Sequence, residues 1–307
     1  MKTLLANLCL LLWQLLLPVA AAGAGDEIPP EFFNLSRARL QSTMDLHVNQ
    51  TLFVRNASAA VFELKARHIE SLIRQDPKLK DVLLQSQAAH VMMSQEPIDR
   101  ERKPRPPPSP RPLTTVLGGP WQDVWTYGSY EPWHSALDIK TDRWNGELEF
   151  SIRSYPVTQL GVPPPRPNWQ RVAAALAHGY RPPRDGRMTM YATPSISYSY
   201  GNSGFLQHTH THAWIGLLAD EHRPDGSSSR VIDNQITLWH METDHQFVGS
   251  NANYGPMITL SANVKAENWY TVWFWISGGV DSDGGWAVSH ATLSVGDTDV
   301  EIDLVPF

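Results

Sequence analysis

Residues 96–112 carry seven prolines in seventeen positions. No helix or sheet interior tolerates such a run, because each proline fixes φ and removes a backbone donor. The segment reads as a stiff polyproline II spacer of about 3.1 Å per residue. It divides the chain into two chemically different parts. Every tyrosine, and every tryptophan except Trp13, lies after it. The spacer itself is basic, with Arg100, Arg102, Lys103 and Arg105 open to trypsin-like proteases.

Residues 1–24 read as a secretory signal. Lys2 supplies the charged start, Leu4 to Leu17 the apolar stretch, and Ala20 to Ala24 the small residues of a cleavage site. That stretch is shorter than the ~20 residues that cross a bilayer. The expectation is a secreted, extracellular protein with no integral membrane segment after cleavage. The one cysteine, Cys9, falls inside the signal. The secreted chain would then lack thiols, which excludes disulfides, thiolate catalysis and thiolate zinc sites. The formal net charge is −6, and no Lys or Arg follows Lys265. A nucleic-acid partner is excluded, since phosphate binding needs a basic face.

Residues 25–95 read as a helical module. Glu63/Arg67 and Glu70/Arg74 are acid-before-base pairs four apart. Phe62, Ile69, Leu72 and Ile73 form an apolar stripe. Asp76-Pro77 suits a helix start, and an earlier helix is expected around 36–54. The sequons at Asn34, Asn49 and Asn56 are candidate glycosylation sites. The module reads either as a hairpin packed on the aromatic-rich part of the chain or as a pro-segment released at the basic spacer.

Residues 113–307 alternate in strand fashion. Leu148, Phe150 and Ile152 share one parity, as do Ile196, Tyr198 and Tyr200, then Ile258, Leu260 and Val264, then Val300, Ile302 and Leu304. Short strands between Gly, Asn, Asp and Pro turns predict an antiparallel β-sandwich, jelly-roll-like. One helix is expected at 169–178, between strands, and a long loop at 156–186. Residues 278–285 read as a hairpin turn, with Asp281 and Asp283 as an incomplete calcium loop.

Two strands carry candidate sites. In 208–212, His208, His210 and His212 share one strand face, while Thr209, Thr211, Ala213, Ile215 and Leu217 make the more apolar core face. Imidazoles at this spacing suit zinc or another divalent transition metal, with His240, His245 or Glu242 as a further ligand. The alternative is a polar strand face with no metal. In 269–276, Tyr270, Val272, Phe274 and Ile276 oppose Trp269, Thr271, Trp273 and Trp275. The tryptophans read as an exposed sugar-stacking platform, or as a central strand buried on both faces. Solvent exposure of Trp273 and Trp275 decides between them.

His134-Ser-Ala-Leu-Asp138 followed by His210-x-His212 resembles the ligand set of lysostaphin-type zinc endopeptidases. That resemblance implies zinc held by His134, Asp138 and His212, with His210 assisting the water. No Gly-x-Ser-x-Gly elbow, phosphate loop, dinucleotide fingerprint or His-Glu-x-x-His motif occurs. The expectation is a non-enzymatic binding or structural protein that takes a polysaccharide or glycan on Trp269, Trp273 and Trp275. The alternative is a metal-binding protein or zinc-dependent hydrolase built on His208, His210 and His212.

Overall fold

The computed structural model describes residues 28–82, 85, 114–130, 135–154, 168–203, 209–243, 247–282, 288–296 and 298–307. Residues 1–24, expected to be a signal, and 96–112, expected to be a spacer, lie outside them. Among these residues one long helix, α1 (Pro30–Gln75), precedes fourteen strands. These are β1 (Thr114–Leu117), β2 (Asp123–Tyr130), β3 (Ser135–Asp142), β4 (Glu147–Ser154), β5 (Asn168–Tyr180), β6 (Gly186–Ala192) and β7 (Ser195–Ser203). Next come β8 (Thr209–His222), β9 (Ser228–Thr243), β10 (Phe247–Tyr254), β11 (Ile258–Val264), β12 (Trp269–Ser282), β13 (Val288–Gly296) and β14 (Val300–Pro306).

The strands form three antiparallel sheets. The front sheet has the order β2-β5-β12-β8-β9, the back sheet β10-β7-β13-β4-β3, and a shorter base sheet β1-β14-β6-β11. The front sheet packs on the other two as a sandwich. Its inward residues include Val172, Leu176, Ile215, Leu217, Val272, Phe274 and Ile276. They meet Phe150, Ile152 and Leu293 of the back sheet, and Met190, Leu260 and Ile302 of the base sheet. This is the expected sandwich, and the expected parities hold: β4 alternates half-buried and buried along its whole length. Alternation of period two puts every second side chain into one shared core.

The outer face of the front sheet is also apolar, and the first half of α1 covers it. Ile28, Phe33, Leu40, Met44 and Val48 pack on Trp125, Tyr127, Ala173, Ala175, Leu218, Trp273 and Trp275. At about 2 kcal/mol for each buried helix-side residue, this contact is worth on the order of 10 kcal/mol before entropy. Polar contacts fix its register. Ser36, fully buried, accepts from Trp273 Nε1 at 2.7 Å and donates to Asp220. Arg37 donates to Asp123 at 2.7 Å, and Tyr127 donates to Asp45 at 3.1 Å.

Four expectations need correction. The helices expected at 36–54 and around 62–73 are one continuous α1, whose described buried residues lie at 33–48. The stripe seen in the sequence falls later: Leu72 and Ile73 are only half-buried, and the side chains of Phe62 and Ile69 lie outside the described residues. Residues 169–178 are not helical; they form the middle of β5, paired with β2 and β12. Alanines at 173–175 and 177 favour a helix in isolation, but tertiary context overrides that weak preference. On this strand the small side chains leave room for Trp273, Trp275 and α1. The same strand occupies much of the loop expected at 156–186. Residues 278–282, expected as a turn, continue β12, because flanking side chains fill the space above the glycines. A Cβ at Gly279 would stand 2.6 Å from both Arg171 and His212. Asp76 does cap the next helical turn, accepting from the Lys78 amide at 3.0 Å.

Candidate functional site

Register places the histidine strand and the tryptophan strand on one surface. Opposite Trp273, Trp275, Ser277, Gly279 and Asp281 of β12 stand Leu218, Gly216, Trp214, His212 and His210 of β8. On the other side of β12 stand Ala177, Ala175, Ala173, Arg171 and Trp169 of β5. The outer face of the front sheet therefore runs from an apolar half to a polar half.

The apolar half is closed. Trp273 is 0 % and Trp275 6 % exposed, so they do not form the open platform that the sequence suggested. Trp275 leans over Gly216, where a Cβ would sit 2.5 Å from its ring. Trp269, at the far end, is half-buried and carries the Arg181 guanidinium 5.5 Å above its ring. Two apolar faces on one central strand mean two covering layers, here the opposite sheets and α1.

The polar half begins beside Met44 of α1. A cavity of about 110 Å³ lies between α1 and the sheet, lined by Met44, Tyr127, Arg171, His210, His212, Trp214 and Ser277. Behind it Arg171 grips Asp281 with two bonds, Nη1 to Oδ1 at 3.2 Å and Nη2 to Oδ2 at 2.7 Å. Asp281 Oδ2 also meets His210 Nδ1 at 3.0 Å, and His210 Nε2 stands 3.4 Å from Nδ1 of the exposed His240. His212 stacks on His210 with centroids 4.7 Å apart and touches Trp214 at 4.2 Å. It is 2 % exposed, and neither ring nitrogen has a hydrogen-bond partner among the described residues.

The electrostatics follow from these neighbours. Burial opposes ionisation of Asp281, but the Arg171 charge and the bonds from His210 and Arg171 outweigh it. The carboxyl is held well below its usual range. Burial first, then the charges of Arg171 and His210, push His212 well below the ordinary histidine range. His212 is thus a neutral imidazole at neutral pH, with one N–H to give and one lone pair to accept. Since Arg171 and Asp281 neutralise each other, the cavity presents matched polar groups rather than net charge.

The expected metal set is not assembled as the sequence suggested. His208 lies outside the described residues, and so does His245. Glu242 is the register partner of His210, and His240 that of His212. Among the described residues no three His, Cys, Asp or Glu side chains could hold an ion together. Parity was read correctly: Ala213, Ile215 and Leu217 face the core, and His210 and His212 face outward. The endopeptidase-like ligand set does not converge. Asp138 lies exposed on β3 of the back sheet, paired with Lys140 at 3.2 Å, and His212 points out of the opposite side of the sandwich. His134 lies outside the described residues. Asp281 is no calcium-loop residue, since Arg171 and His210 occupy its oxygens. Asn34 and Asn49 are exposed on α1, and the side chain of Asn56 is outside the described residues.

Sequence reasoning missed Arg171, Asp281 and Tyr127 as members of this cluster. Asp281 shares odd parity with Trp273 and Trp275, so extending β12 by five residues would have placed it. Arg171 was hidden inside the expected helix, and nothing local in the sequence marks Tyr127.

No protein-family model matches this chain, and no curated protein matches it. Solved structures similar to it include one described as CBM4, at 9 % identity and TM-score 0.22, spanning 62 % of this chain and 86 % of that one. A carbohydrate-binding module of the β-sandwich superfamily gives 14 % and 0.22, spanning 61 % of this chain and 56 % of that one. The family 11 carbohydrate-binding module of a cellulosomal cellulase of Clostridium thermocellum gives 11 % and 0.20, spanning 61 % and 93 %. Superpositions this poor carry no argument about what this chain binds.

Proposed function

We propose that this is a carbohydrate-binding protein whose sugar site is the cavity beside His212 and Trp214, and not the tryptophans beneath α1. The observation that carries the reading is His212: a buried, neutral imidazole lining a cavity, with both nitrogens unpartnered among the described residues. Burying polar atoms without partners costs about 1–3 kcal/mol each, and a ligand hydroxyl relieves it, since it both donates and accepts. The Trp214 ring alongside supplies the apolar face on which a sugar ring stacks. The cancelled Arg171–Asp281 charge favours a neutral ligand over an anion, and Asp45 at Tyr127 adds a carboxylate that repels one.

Size narrows the mode of binding. Drug-sized ligands fill about 300–1,000 Å³, whereas this cavity of about 110 Å³ holds the volume of three or four waters. It takes one edge of a sugar ring, its hydroxyls towards His212, with the rest of the glycan outside. A glycan array followed by calorimetric titration of the hits tests this. His212→Ala is expected to weaken binding at least tenfold while the melting temperature holds or rises. An array without hits, or a hit that His212→Ala binds as well as wild type, refutes it.

A further inference from the structure

The polar half of the front sheet holds a second grouping, which meets the sugar cavity at His210. We propose that His210 and His240 together bind a divalent transition-metal ion, with Asp281 as the positioning residue. The case rests on two distances. Asp281 Oδ2 stands 3.0 Å from His210 Nδ1. A carboxylate oxygen there accepts a hydrogen bond from Nδ1–H, which leaves Nε2 as the nitrogen with the lone pair. That Nε2 stands 3.4 Å from His240 Nδ1. An N–H hydrogen bond is commonest near 2.9–3.0 Å, so this is a long contact for two imidazoles bonded to each other. It does match the spacing of two ligands on one tetrahedral ion: metal–nitrogen bonds of about 2.0–2.1 Å put adjacent nitrogens about 3.3–3.4 Å apart.

The surroundings agree. Metal-bound histidines commonly donate their other ring nitrogen to a carboxylate, which orients the ring and raises its basicity. Arg171, on the far side of Asp281 at 2.7 Å, holds that carboxylate in place. His240 is exposed, so an ion reaches the pair directly from solvent. Two imidazoles select zinc, copper or nickel over magnesium and calcium, which prefer oxygen. With no third protein ligand converging among the described residues, water fills the remaining positions and exchange is fast. The pair shares His210 with the lining of the sugar cavity, but its two ligand nitrogens involve neither His212 nor Trp214, so the two readings are tested by different variants.

Calorimetric titration of the untagged protein with zinc chloride at pH 7.5 tests this. The expected result is one saturable site, weakened at least tenfold by His240→Ala and changed less than twofold by His212→Ala. Asp281→Asn is expected to lower affinity about 10–100-fold with stoichiometry still one. A merely structural role for Asp281 would instead lower stoichiometry as molecules unfold. Asp281 also neutralises buried Arg171, so the exposed His240→Ala variant decides the matter if Asp281→Asn does not fold. No saturable zinc binding by the wild type, or binding that His240→Ala leaves unchanged, overturns the proposal.

Discussion

Truncating Leu40 to alanine probes whether α1 is a true layer of this fold. Leu40 is 1 % exposed and sits in the middle of the helix stripe, among Phe33, Met44 and the tryptophans of the front sheet. The substitution removes three carbons, worth about 0.8 kcal/mol each in transfer, or about 2.4 kcal/mol. Trp273 is held by its bond to Ser36 and Trp275 by Gly216, so neither can move far to fill the hole. A cavity term is therefore added, for a total of about 3–5 kcal/mol. Leu64 provides the internal control. It lies on the same helix but is 66 % exposed, and its truncation should cost under about 0.5 kcal/mol. Guanidinium denaturation followed by tryptophan fluorescence measures both, and acrylamide quenching at zero denaturant reports whether the helix has lifted. The expected result is a large fall in midpoint for Leu40→Ala alone, with increased quenching. Equal, small shifts for the two variants would refute the packing of α1 on the tryptophan face.

The same interface yields two further expected outcomes. Ser36→Ala removes the acceptor of Trp273 Nε1 and a donor to Asp220, both buried; a loss of about 1–3 kcal/mol is expected by denaturation, and no loss would mean these groups find water. His222 is stacked on Phe32 of α1 at 4.5 Å and bonded to Thr271 at 2.8 Å and Ser228 at 2.9 Å. Burial lowers it from the ordinary 6.5 to about 4. Its neutral form is therefore the one that folds. Its contribution is whole above pH 6.5, falls as pH drops from 6.5 to 4, and is then level. The loss amounts to at most about 3 kcal/mol. His212 shifts in the same direction, so the comparison that isolates His222 is wild type against His222→Gln at pH 7, 5.5 and 4. A pH dependence of stability that is identical in both proteins contradicts this assignment.

The sandwich was legible because alternation is a local signal. Leu148, Phe150 and Ile152 need only their own neighbours in sequence to declare a buried face. Trp273 and Trp275 show the limit of that signal. Period two says which residues share a face, but not what covers it. The cover is a helix more than two hundred residues away in sequence, whose sparse stripe Phe33, Leu40, Met44 and Val48 includes a buried Ser36 that reads as polar surface. The alanines of β5 misled for a related reason. Their small size answers to the bulk of the tryptophans across the register, a fact of tertiary contact that helix propensity does not contain. In the candidate site, the outward parity of His210 and His212 was readable. Their meeting with Arg171, Asp281 and Tyr127 was not, because three separate strands supply those side chains.

The sugar reading places the stacking ring at Trp214, yet the most exposed tryptophan described is Trp144, 68 % open on the β3–β4 turn. Calorimetric titration of one array-identified glycan into wild type, Trp214→Ala and Trp144→Ala separates the two directly. A site at the cavity predicts at least a tenfold loss of affinity for Trp214→Ala and less than a twofold change for Trp144→Ala. The reverse pattern would place the sugar on the turn and contradict the cavity as the binding site.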